Sequence, residues 1–110
     1  MFARKVSIHL RPDTLAEFTK ILEQEIVPLL HKQPGLKDEI AFAVPGASDV
    51  LAISLWDSKQ NAEVYDKGAY KDILRMLEPV VEGIPEIATT EVLHSTLHDI
   101  HEIAVGVPIA

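Results

Sequence analysis

Cysteine is absent from this 110-residue chain, which excludes a disulfide framework, thiol catalysis and thiolate metal sites. Basic residues are scarce, 10 against 17 acidic ones, for a formal charge of −7. Such a surface repels phosphate backbones and anionic lipid, so neither nucleic acid nor a membrane is expected as a partner. No run approaches the ~20 apolar residues of a membrane-spanning helix. The N-terminal MFARKVSIHLRPD carries no apolar stretch of signal-peptide length, and a cytoplasmic protein is the expectation. Missing too are a glycine-rich phosphate loop, a GxSxG elbow and a dinucleotide fingerprint. Aromatic residues make up 5% of the chain, so the single tryptophan, Trp56, serves as a landmark.

What is present suits one folded domain. Hydrophobic residues at 47% and charged residues at 25% are ordinary for a globular protein, and the length allows a single core. Residues 50–56, VLAISLW, form an apolar run between PGASD and Asp57-Ser58, the pattern of a covered strand. Asp57 or Ser58 then caps a helix, its side-chain oxygen accepting from the orphan N–H groups of the first turn. Upstream, residues 4–10 alternate, with Val6, Ile8 and Leu10 on one face and Lys5, Ser7, His9 and Arg11 on the other. Residues 12–32 switch to helical spacing, with Leu15, Phe18, Leu22, Ile26 and Leu29 in one stripe. Thr14 and Glu17 stand at capping-box spacing, and Pro28 is expected to kink or end this helix.

Residues 36–44 alternate again, and Pro45-Gly46 turns them into the 50–56 strand as an antiparallel hairpin. On the helix after Trp56, Ala62, Tyr65 and Ala69 face inward, and Gly68 is expected to break it in the left-handed conformation. Tyr70, Ile73, Leu74, Leu77 and Val81 continue at helical spacing. Residues 87–97 are rich in Thr, Val, Ile and Leu and read as a last strand.

The order β, α, β, β, α, β predicts an α+β, ferredoxin-like split βαβ domain over residues 1–97: a four-stranded antiparallel sheet with helices on one face. The apolar tail 98–110 is expected to pack on the domain or on a partner subunit. The open face of the sheet is expected to carry Ala41, Ala43, Ala52, Ser54 and Trp56. A face so apolar calls for a twin, and a homodimer follows.

The helix ending in QPGLKD, the strand closing in LWDSKQNAEVY and the following AYKDILRMLEPVV resemble the antibiotic biosynthesis monooxygenase-like family of dimeric α+β barrels. The resemblance covers roughly residues 4 to 97. It implies a cavity between sheet and helices for a small aromatic, quinol or polyketide-like compound, which some members oxygenate with no metal and no flavin. Others degrade haem or act on small signalling molecules. On this reading no cofactor is needed. Trp56, Tyr70, Ser54 and Arg75 are candidates for ligand binding, and His9 or Tyr65 for accepting a proton or donating a hydrogen bond. Each has a plainer reading: Trp56 and Tyr65 as packing anchors, Arg75 as a solvated helix-face charge.

The family pattern is incomplete here. The haem-degrading branch pairs an Asn, a Trp and a His in places where this chain offers one asparagine, Asn61, with Tyr65 and Arg75 at the other two. The oxygenating branch pairs the strand tryptophan with an Asn on the same strand, where this chain has Ala52 or Ser54. An amide or Arg there would stabilise a phenolate or peroxide anion. His94, His98, His101 and Glu102 would line up on a helix as metal ligands. On a strand, His94 and His98 stand roughly 13 Å apart at ~3.3 Å per residue, too far to share an ion, and no metal is expected. Fold does not choose among activities. The alternative to an oxygenase is a non-enzymatic dimeric small-ligand-binding or stress-related barrel whose cavity is filled by its own side chains.

Overall fold

In the computed structural model, which describes residues 1–96, the first strand, β1 (Phe2–His9), begins two residues earlier than the alternation suggests. A helical rod follows in three pieces: α1 (Leu15–Ile21), a π turn (Leu22–Ile26) and α2 (Val27–His31). Pro28 neither ends nor caps the rod. It has no N–H for the preceding turn, and that turn widens instead, the Val27 N–H donating to the Leu22 carbonyl. The capping box at Thr14 does not form either. The Thr14 hydroxyl donates to the Arg11 carbonyl at 2.7 Å and caps no backbone N–H.

The hairpin is present as β2 (Leu36–Ala43) and β3 (Asp49–Trp56), antiparallel, with an irregularity between Leu36 and Asp38. Ser58, and not Asp57, caps α3 (Lys59–Lys67), its hydroxyl accepting from the Asn61 N–H at 3.1 Å. Asp57 accepts from the Asn61 side-chain amide instead, at 2.8 Å. Gly35 makes this corner possible: its φ is +81°, and a Cβ there would lie 2.3 Å from the Asp57 carboxylate. Gly68 joins α3 to α4 (Ala69–Leu77) with φ −112°, so it is not left-handed as expected. Its N–H closes α3 by donating to the carbonyls of Val64 and Tyr65. The last strand, β4 (Glu86–Glu91), is shorter than the 87–97 expected, and all six residues are exposed, as befits an edge strand. Leu97 and the tail 98–110, with His98, His101 and Glu102, lie outside the described residues.

The sheet runs β2-β3-β1-β4, all neighbours antiparallel, the order of a ferredoxin-like α+β fold. Helices cover one face, and the core lies between, built from Val6, Ile8, Val50 and Trp56 below and Phe18, Ile26, Tyr65, Ile73 and Leu77 above. The register corrects the assignment of faces. Phe2 pairs with Trp56, Arg4 with Ser54, Val6 with Ala52 and Ile8 with Val50, so Ser54, Ala52 and Trp56 share the helix-covered face with Val6 and Ile8. Ala41 and Ala43 join them by pairing with Ala52 and Val50. The bare face carries Ile40, Phe42, Leu51 and Ile53 instead. A one-residue change of phase inverts every side chain of a strand, and β3 is apolar on both faces, so its own pattern does not fix the phase. Among the described residues no helix is long and apolar enough to cross a membrane.

Candidate functional site

A cavity lies between the covered face and the helices. Its walls are apolar, with Val6, Ile8, Phe18, Ile26, Leu30 and Ile73 among them, and its volume is about 50 Å³. Its polar end is a single row across the sheet. Arg4 on β1 pairs in register with Ser54 on β3, and Ser54 with Glu39 on β2. The hydroxyl-bearing rings of Tyr65 and Tyr70 come down onto that end from α3 and α4.

Arg4 is the centre of this cluster. Its side chain is 2% exposed, yet it carries a full charge. One terminal nitrogen, Nη2, donates to Asp66 Oδ1 at 2.6 Å. The guanidinium carbon lies 3.9 Å from the centre of the Tyr70 ring and 5.2 Å from that of Tyr65, within reach of cation–π attraction. The Nε–H has no hydrogen-bond partner. An unpaired donor on a buried cation is costly, and it is the atom to which an anion would bind.

The surrounding groups are tuned by burial. Burial pushes the Tyr65 hydroxyl well above the usual phenol range, against a smaller opposing pull from Arg4. Tyr65 is therefore held in its protonated form. Tyr70 is raised for the same first cause, with Arg4 again opposing. The Glu39 carboxyl is half-buried and raised, mainly by desolvation and next by the charge of Asp38. Beside the row, Trp56 is fully buried and donates from Nε1 to the Ser54 hydroxyl oxygen at 2.9 Å. Its ring lies 4.8 Å from that of Tyr65, centre to centre, and Tyr65 lies 5.9 Å from Tyr70.

Of the residues singled out from sequence, the structure therefore brings Ser54, Tyr65 and Tyr70 together at the cavity and puts Trp56 beside them on the covered face. His9 and Arg75 stand elsewhere. His9 has odd phase on β1 and points from the bare face, where its Nδ1 lies 2.8 Å from Asp49 Oδ1, with both side chains more than half exposed. Arg75 is on the outer side of α4, 74% exposed and paired with Asp72 at 2.7 Å. Sequence reasoning missed Arg4, Glu39 and Asp66. The readable signal for Arg4 was its phase: it stands two residues before Val6 and four before Ile8, on the covered side. Among the described residues no group of three metal-ligating side chains is found, and His94 is exposed beyond β4.

No family model matches the sequence, and no curated protein does. Solved structures do. A protein of unknown function from Nitrosomonas europaea superposes with a TM-score of 0.75 at 18% identity, covering 89% of this chain and 94% of that one. A protein from Bordetella bronchiseptica assigned to the antibiotic biosynthesis monooxygenases gives 0.72 at 14%, covering 84% and 98%. The fold is that of the antibiotic biosynthesis monooxygenases. A third structure with this monooxygenase fold, from the gene ActVA-Orf6 of Streptomyces coelicolor, holds nanaomycin D and gives 0.71 at 17% identity, covering 89% and 92%.

Proposed function

We propose that this protein is a cofactor-independent monooxygenase acting on a small phenol or quinol. The observation that carries the reading is the buried Arg4 with a free Nε–H at the polar end of an apolar cavity. It supplies the oxyanion stabilisation that the sequence lacked on β3, from the neighbouring strand. Here a phenol gives its proton to Glu39, whose raised carboxyl lies nearer in basicity to a phenol than an ordinary one. Arg4 and the Tyr65 hydroxyl hold the resulting phenolate. The electron-rich ring reduces O2 itself: the phenolate C–O becomes one C=O, a ring C–H becomes the second, one oxygen atom enters that carbon, and the other leaves as water with the ring hydrogen and the proton held by Glu39. The apolar walls keep bulk water from the intermediate.

The protein acts as a homodimer in the cytoplasm on this reading. Ile40, Phe42, Leu51 and Ile53 form the apolar face that a second copy would cover. A second reading is favoured by the cavity volume of about 50 Å³, far below the ~300 Å³ and more of common ligand sites. It makes the protein a dimeric binding or stress-related barrel filled by its own side chains. Oxygen uptake in air with a panel of dihydroxynaphthalenes and anthrones separates the two. The oxygenase reading expects uptake above the buffer rate and a loss of about a hundredfold in Arg4→Met, the scale of removing one oxyanion donor. No uptake across the panel would favour the second.

A further inference from the structure

Arg4 stands between two spaces. Outside that cavity, a groove of about 290 Å³ runs between α3 and β4, lined by Lys59, Glu63, Asp66, Ile87 and Thr89, with Arg4 in its floor. Arg4 lines both spaces, and its ion pair with Asp66 lies at the boundary. The two ends of that pair differ: the Arg4 side chain is 2% exposed, the Asp66 side chain 47%. A pair with one partner in water is weak and readily exchanged.

The geometry of the pair shows what it would exchange for. Nε–H and Nη2 lie on one edge of the guanidinium, the edge that carboxylates bind as a fork. Asp66 reaches Nη2 alone, and the Nε prong is empty. The guanidinium carbon sits 3.9 Å over the centre of the Tyr70 ring, a cation–π contact that helps hold the fork in place. Beyond it lie the rings of Tyr65 and Tyr70 and the apolar cavity wall.

We propose that the Arg4–Asp66 pair is a latch over an anion site, and that its ligand is a small aromatic anion entering through the α3–β4 groove. The ligand's carboxylate or phenolate takes both prongs of Arg4, Asp66 turns out into water, and the ring packs on Tyr65 and Tyr70. An inorganic anion would gain the fork but none of the apolar contact. The latch shares Arg4 with the proposed oxygenase and goes beyond it, because it is read by binding without oxygen.

The test titrates the full chain, under nitrogen, with 2-naphthoate and with its uncharged analogue 2-naphthamide. Calorimetry gives affinity, and 1H–15N spectra follow the Arg Nε–H signals. Naphthoate is expected to bind about tenfold or more tighter than naphthamide and to move the Arg4 signal. Asp66→Asn should tighten naphthoate by about tenfold again and leave naphthamide unchanged. Glu63→Gln removes the same charge from the groove wall without touching Arg4, and should move either ligand by less than about twofold. Arg4→Lys keeps the charge, loses the fork and should lose the preference for naphthoate. If that variant does not fold, the Arg4 signal of the unaltered protein decides. Equal binding of the two compounds, an unmoved Arg4 signal, or Glu63→Gln matching Asp66→Asn would each overturn the latch. Oxygen uptake surviving such a result would leave the oxygenase reading standing without it.

Discussion

On the covered face of the sheet, Glu39, Ser54 and Arg4 set two charges and a hydroxyl side by side at an apolar cavity, whereas on the bare face His9 and Asp49 pair in water. The hydrogen bonds are of similar length, 2.6 Å for Arg4 to Asp66 and 2.8 Å for His9 to Asp49. Their surroundings differ. Around His9, solvent competes for each partner and salt screens the charges. Around Arg4, water is largely excluded, so an unfilled donor retains most of its pull on an anion. Function is therefore to be sought where a polar group is short of partners, more than where a catalytic residue type is most familiar.

The comparison is broken most strongly at Trp56, the fully buried ring that supports the polar row. Trp56→Ala should destabilise the fold by about 3–5 kcal/mol, the usual cost of emptying an aromatic site, as read from urea denaturation. Loss of under ~1 kcal/mol would mean that the covered face is loosely packed.

A bare-face substitution should do the reverse. Phe42→Glu places a charge at a 49% exposed position. Monomer stability should stay within about 0.5 kcal/mol, while light scattering should fall from about twice 12.2 kDa to the single chain. An unaltered protein that already runs as a monomer would remove the dimer from the proposal.

The smallest effects are in pH. Glu39 is raised in the folded protein, so the native state binds its proton more tightly than the unfolded chain does. Stability is then lost as pH rises from the ordinary carboxyl value of 4.5 through the raised one. Glu39→Gln should flatten that slope and leave the protein more stable at pH 7. His9 is raised chiefly by its hydrogen bond to Asp49, from 6.5. Its contribution is full below that value and fades as pH rises through the folded one. His9→Gln should remove this step, with a smaller amplitude than the Glu39 change because the pair is exposed. Equal amplitudes in 0.5 M salt, measured by thermal melts across pH, would mean that the two faces do not differ as described.

Much of the architecture was legible in the chain: the element order, the hairpin after Pro45-Gly46, and the cap at Ser58 all follow from local chemistry. The phase of β3 was not, because VLAISLW is apolar at nearly every position and alternation has nothing to grip. That one ambiguity put Ser54 and Trp56 on the wrong side and the bare face on the wrong residues. Arg4 was overlooked because an arginine near a strand end usually lies in solvent. Its neighbours in phase, Val6 and Ile8, said otherwise. Glu39 and Asp66 needed the third dimension, since their significance comes from β2 and α3 meeting at Arg4.

The π turn at Leu22–Ile26 has a bearing on the roof of the cavity. A plain α-helix advances about 100° per residue, so Phe18 and Ile26 on an unbroken one would drift apart in azimuth by most of a right angle. The slower winding of the wide turn counters that drift, and Phe18, Ile26 and Leu30 are all buried in the core. Forcing the same residues into a plain α-helix would swing the last two side chains off their seats, whereas deleting a single residue there would set Phe18 and Ile26 seven apart, within about 20° of one line. The awkward turn is in effect a phase corrector, keeping the lid in step with the floor.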